Sequence, residues 1–127
     1  MPRLTLTPED YLRGKLITPP GWYDFFVKSV TEEPAGTDGS TNILVDLVCA
    51  SEGPNNGVPV RRIFNEKSPG FAIPYIKAFG VATDDKATQT FELADTQGKY
   101  VCANVGHREY QKKMQNDVLD FRPSTRK

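Results

Sequence analysis

Apolar and polar residues trade places at every second position in this chain, in short runs fenced by Gly, Pro and Asn. That period puts one set of side chains on a core face and the other toward solvent, so it commits most of the chain to half-buried strands. The clearest case lies between Gly98 and Pro123, where Val101, Ala103 and Val105 alternate with Tyr100, Cys102 and Asn104. It reads as a strand over 100–105, a basic aromatic tip over 106–114 and a returning strand over 116–121.

The same reading runs upstream. Pro19, Pro20 and Gly21 break the chain and launch a strand over 22–30. Tyr23, Phe25 and Val27 share one face of it; Trp22, Asp24, Phe26 and Lys28 share the other. Asp24 and Lys28 need water, because an isolated buried charge is costly, so Trp22 and Phe26 are expected to face outward with them. A polar turn region over 33–41 leads to a second strand, 42–50, apolar on both faces except at Asp46 and so expected to be central. After the Gly-Pro-Asn-Asn-Gly loop, a third strand sets Val60, Arg62 and Phe64 on one face and Arg61, Ile63 and Asn65 on the other. Each face holds a cation and an apolar group, so alternation alone leaves the register open. The expectation adopted is Ile63 inward, with Arg62 and Phe64 outward.

Two helices are expected. Thr7, Pro8, Glu9 and Asp10 form a helix start, with a hydroxyl cap, proline at the first position and acids at the positive end of the dipole; Gly14 stops it. Over 68–80, Ile73, Ile76 and Phe79 fall at helical spacing, Pro74 fits only the first turn and Gly80 suits the stop. Tyr23, Phe25, Phe71, Phe79, Phe91 and Phe121 are assigned to the core. Three strands, a helix and two strands are the element order of a five-stranded Greek-key OB-fold barrel. The expectation is therefore one all-β domain over 1–127, with a short N-terminal helix, an N-terminal extension over 1–18 and a basic tail over 122–127.

Composition narrows the function. The 127 residues carry no net charge, yet the charges are segregated. Glu32, Glu33, Asp38, Asp46 and Glu52 are the charged residues between Thr31 and Gly57. The chain from Gly98 onward carries Lys99, Arg108, Lys112, Lys113, Arg122, Arg126 and Lys127. Local field decides partner choice, so a basic face on a neutral protein is compatible with a nucleic-acid partner. No apolar run approaches a membrane span and the first residues lack a signal-peptide core, so no membrane partner and a cytoplasmic setting are expected. Cys49 and Cys102 are far apart in sequence and are expected to be free thiols.

Catalytic readings are weak. His107 is the single histidine, the cysteines lack zinc spacing, and no phosphate-loop motif is present, so no metal, cofactor or enzymatic activity is expected. Asp24, Asp46 and Glu66 could be imagined around magnesium, but scattered strand acids are usually solvated or paired with arginine. The binding reading divides the labour by residue type. Arg61, Arg62, Lys67, Lys99, Arg108, Lys112 and Lys113 would track phosphates, while Trp22, Phe26, Phe64 and Tyr110 would stack on bases. No helix is basic enough to suit a duplex major groove.

The chain also resembles phage-encoded OB-fold single-stranded-DNA-binding proteins of replication and recombination clusters, a family long catalogued as a domain of unknown function. The resemblance is carried by Pro20, Gly21 and Tyr23 at the strand start, the Ser/Gly/Asn turn before an apolar strand (39–48), and Asn-Gly before a basic strand ending in Phe64. It continues with Phe79 and Gly80 closing a short helix, then the Gly98-Lys99 strand with its basic tyrosine-bearing turn, and Asn116, Val118, Phe121 and Pro123 at the end. It implies a sequence-independent binder of single-stranded DNA, with RNA, a homodimer and contacts to replication or recombination proteins left open. The competing class is an OB-fold interaction module that contacts another protein of such a complex.

Overall fold

Five antiparallel strands make up most of the regular structure among the described residues, and glycine or proline lies at, or within two residues of, an end of each. They are β1 (Gly21–Ala35), β2 (Ser40–Cys49), β3 (Pro59–Asn65), β4 (Tyr100–Tyr110) and β5 (Lys113–Pro123). Helix α1 (Pro8–Leu12) precedes them, and helix α2 (Ile73–Ala78) lies between β3 and β4 with a 3-10 turn on either side, Pro69–Ala72 and Leu93–Thr96. This computed structural model describes residues 2–12, 14–36 and 39–125. Asp38, Arg126, Lys127 and the side chain of Glu9 lie outside the described residues.

The strands form one sheet in the order β3-β2-β1-β4-β5. The expected closed barrel does not form: β3 and β5 are the two edges and share no ladder. A flat sheet of five strands would hold its edges about 19 Å apart, at 4.7–4.9 Å per neighbour. Yet the rings of Phe64 on β3 and Phe121 on β5 have centroids 6.4 Å apart, so the sheet is strongly curled. Tyr75 of α2 fills the remaining gap, 5.6 Å from the Phe64 ring and 4.9 Å from that of Phe121. Aromatic packing from the helix stands where ladder hydrogen bonds would have closed a barrel.

The concave face is the core. Phe25 and Val27 of β1, Val45 and Leu47 of β2, and Val101, Ala103 and Val105 of β4 are all fully buried. Burying an aliphatic or phenyl side chain of this size contributes about 1.5–3 kcal/mol. The β1 faces are as expected, with Phe25 and Val27 inward and Trp22 and Lys28 exposed. A bulge between Val27 and Ser29 then shifts the pairing with β2, leaving Lys28 as the extra residue.

Three further expectations fail. On β3, Phe64 is buried and Ile63 is exposed, the reverse of the adopted register. On the helical segment, Phe71 is 68% exposed and Ile73 faces solvent, whereas Tyr75, Ile76 and Ala78 are buried. The buried stripe is Ala72, Tyr75 and Ile76 with the half-buried Phe79, an i, i+3, i+4, i+7 face that leaves Ile73 on its flank. Finally, the tip over 106–114 is mostly strand. Pairing continues from Gly106 opposite Asp117 to Tyr110 opposite Lys113, leaving only Gln111 and Lys112 as the turn. Both turn residues have positive φ, 50° and 64°, the conformation that matches strand twist in a two-residue hairpin.

Candidate nucleic-acid interface

The convex face of β1, β4 and β5 collects the groups a single strand would use. Alternation sends Trp22, Asp24 and Phe26 out from β1, where they stand in register with Asn104, Cys102 and Tyr100 of β4. The Phe26 and Tyr100 rings pack at 5.2 Å between centroids with a 60° tilt. Trp22 is 36% exposed, and the guanidinium of Arg122 lies 4.4 Å over its ring. Such a cation–π contact contributes about 0.5–1 kcal/mol at an exposed site. The result is a shelf of three rings beside one cation.

Asp24 sits between the rings without presenting a bare charge. Its Oδ1 accepts from the Ser124 hydroxyl at 2.8 Å and from the Cys102 thiol at 3.0 Å. Burial pushes the Cys102 thiol above its ordinary range and the Asp24 carboxylate adds to the rise, so this sulfur is a hydrogen-bond donor rather than a thiolate. Arg122, opposite Cys102 in the β4–β5 ladder, acts in the other direction.

The shelf continues sideways. Phe26 is opposite Val48 of β2, and Val48 is opposite Pro59 of β3, so one cross-strand row runs from Tyr100 to the β3 edge. That row enters a cleft of about 740 Å³ floored by Lys28, Val48, Pro59 and Arg61 and walled by Leu12 and Gly14 of the N-terminal segment. Arg61 is held there by Asp46, with Nε to Oδ1 at 2.7 Å and Nη2 to Oδ2 at 3.3 Å. The Asp46 hydrogen bond raises the guanidinium pKa above its ordinary value. Ser29 also donates to Asp46, at 3.2 Å.

The sequence-derived residues divide accordingly. Trp22, Phe26 and Arg61 share the convex face, and Arg108, Tyr110 and Lys113 continue it along the β4–β5 hairpin, with Lys112 in the turn. Tyr110 is six residues beyond Asn104, the partner of Trp22, which places it about 20 Å along the strand. Lys99 is exposed at the start of β4. Lys67 follows β3 at the opposite end, past Asn65, which is in register with Asn42 and so with Glu33 of the acidic β1–β2 arm. Arg62 and Phe64 face the other way. Phe64 is 3% exposed, and the Arg62 guanidinium covers its ring at 4.8 Å, so in this fold Phe64 offers no face to a base.

Tyr100 and Arg122 complete the shelf and were missing from the sequence-derived set. Alternation already turned Tyr100 outward; what it could not show is that Tyr100 stands opposite Phe26. His107, within the tip expected over 106–114, is instead half-buried in β4, and its Nε2–H donates to the Ile17 carbonyl at 2.7 Å. The three acids considered for magnesium do not converge. Asp24 binds Ser124 and Cys102, Asp46 binds Arg61, and Glu66 accepts from the Thr41 amide. Among the described residues no group of three or more His, Cys, Asp or Glu comes together.

Neither a scan of protein-family models nor a search of curated proteins finds a match for this chain.

Proposed function

We propose that the protein binds single-stranded DNA across the convex face of its sheet, with little sequence preference. The observation that carries this reading is the shelf of Trp22, Phe26 and Tyr100: Phe26 and Tyr100 are register partners, and Trp22 stands four residues along β1 on the same face, under Arg122. Every base has a π face, so exposed rings accept any base, at about 1–3 kcal/mol per stacked ring. Arg122, Arg108, Lys113 and Lys28 supply cations on the same face or beside it, and a strand that they neutralise releases counterions. The acidic arm carrying Glu32 and Glu33 lies at the other end of β1, so it repels a strand only beyond the shelf. The setting implied by the resemblance is phage DNA replication or recombination.

Trp22 is the only tryptophan, so its emission reports on the shelf directly. Titration with oligo-dT in low salt should quench that emission, and raising the salt should weaken binding along a straight log–log line. No binding at micromolar protein in low salt would overturn the reading and leave the face as a protein-docking surface. An oligo-U titration run alongside separates DNA from RNA preference.

A further inference from the structure

The N-terminal segment is pinned at one end and almost uncovered at the other. Ile17 is fully buried; its amide donates to Asn116 Oδ1 at 2.8 Å and its carbonyl accepts from His107 Nε2 at 2.7 Å. Asn116 Nδ2 in turn donates to the Lys15 carbonyl at 2.9 Å. Thr18 exchanges two bonds with the Asn55 side chain, 3.3 Å from its amide and 2.9 Å to its carbonyl. Residues 15–18 are thus tied both to the loop between β2 and β3 and to the β4–β5 hairpin.

Upstream, the contacts among the described residues are local or at the surface. Helix α1 has five residues, far fewer than a helix needs to stand alone in water, and is capped by Asp10 Oδ2 on the Thr7 amide at 2.7 Å. Leu12 is its partly buried contact, against Gly57. Leu4 is 95% exposed and Tyr11 72% exposed, large apolar groups left open to solvent among the described residues. This segment also forms the wall of the cleft at the end of the cross-strand row.

We infer that the segment carrying α1 is a strap that closes over a single strand of nucleic acid lying in the cleft, anchored at Ile17 and Thr18. The inference rests on the strand-binding reading above. A strand that follows the row from Phe26 over Val48 and Pro59 passes between Lys28 and Arg61 below and Leu12 to the side. Closing the strap brings Tyr11 onto a base face and gives its apolar residues cover, while the buried anchor keeps its place. An open wall also lets an internal stretch of strand enter sideways, without threading an end.

The test compares the full chain with one lacking residues 1–12, which keeps Ile17 and its bonds. Fluorescent oligo-dT bound to each is chased with unlabelled oligo-dT, and the dissociation rate is read. The truncated chain should keep the parent's sheet signal in circular dichroism, losing only the small contribution of α1, and release the strand roughly tenfold faster, with little change in association rate. The double variant Tyr11→Ser, Leu12→Ser in the full chain should move the same way, and oligo-dT should protect the segment from limited proteolysis. Equal dissociation rates, or no protection, overturn the strap and leave the strand-binding reading intact. Tighter binding by the truncated chain overturns it too, making the segment a competing cover. A dimer lost on truncation would assign the segment to a second copy instead. Absence of binding by both chains overturns the reading and the strap together.

Discussion

Replacing Phe64 separates the two roles this ring could play. It is almost fully buried and bridges the curled sheet's edges, 5.6 Å from Tyr75 and 6.4 Å from Phe121, with Arg62 over its outer side. Truncating a buried phenylalanine to alanine costs about 3–5 kcal/mol through lost transfer energy and the cavity left behind. Its two ring contacts are each worth about 0.5–1.5 kcal/mol beyond area, which puts the expected loss for Phe64→Ala near the upper half of that range. A domain of this kind holds about 5–15 kcal/mol in total, so the variant should be marginal but measurable. Urea unfolding, followed by circular dichroism and Trp22 emission, gives the value. The milder Phe64→Leu should lose about 1–2 kcal/mol, stay folded and bind oligo-dT as the parent does. A stacking residue behaves otherwise: its removal weakens binding by about 1–3 kcal/mol while sparing the fold. A stability loss below about 1 kcal/mol for Phe64→Ala would refute the edge-bridging argument. So would a folded Phe64→Leu whose affinity falls by about tenfold or more.

Other outcomes follow from the same geometry. Burial pushes the Tyr75 hydroxyl up to about 12, with its oxygen 2.6 Å from that of Thr96. The unfolded chain gives up that proton near the ordinary value of about 10, so this contribution is whole below that pH and drains away as pH rises toward 12, about 2–3 kcal/mol in all; Tyr75→Phe should flatten the alkaline limb of a urea-midpoint against pH plot. Lys112 holds φ at 64° with an ordinary side chain, so Lys112→Gly should raise the unfolding midpoint by the equivalent of about 0.5–1 kcal/mol. Asp46→Asn should change stability by less than about 1 kcal/mol, because the Arg61 pair is largely exposed. It should also free Arg61 for phosphate, tightening oligo-dT binding at low salt and steepening the log–log salt slope by about 0.7 for one added contact.

How far the sequence carries depends on where each signal is local. The faces of β1 follow from alternation plus the need of Asp24 and Lys28 for water, and Trp22 and Phe26 stand outward as that reasoning requires. On β3 the rule has nothing to grip, since Arg61 and Arg62 offer a cation to each face. Tertiary contacts decide it: Arg61 finds Asp46 across the ladder, while Arg62 lies over Phe64 and donates to the Ile63 carbonyl at 2.9 Å. Helical spacing drew attention to Ile73, Ile76 and Phe79, but Ala72, Tyr75, Ile76 and Phe79 fit a helical face equally well, and that is the face the sheet covers. Element order is shared by open and closed sheets, so it could not say whether β3 and β5 would pair. A seven-residue β3 facing a helix that inserts Tyr75 leaves that gap to side chains. The strap's anchor was invisible for a similar reason, because Asn116 and Asn55 are 99 and 37 residues from the backbone groups they hold.

The central claim is that a single strand lies on the convex shelf. Amide and indole chemical shifts of the labelled protein, recorded as oligo-dT is added, test it most directly. The account predicts that the largest changes fall on the Trp22 indole and on the amides of Phe26, Tyr100 and Arg122, extending to Arg108 and Tyr110, with the acidic β1–β2 arm unmoved. Changes confined to α2 and the acidic arm, with the Trp22 indole unmoved at saturation, would contradict it.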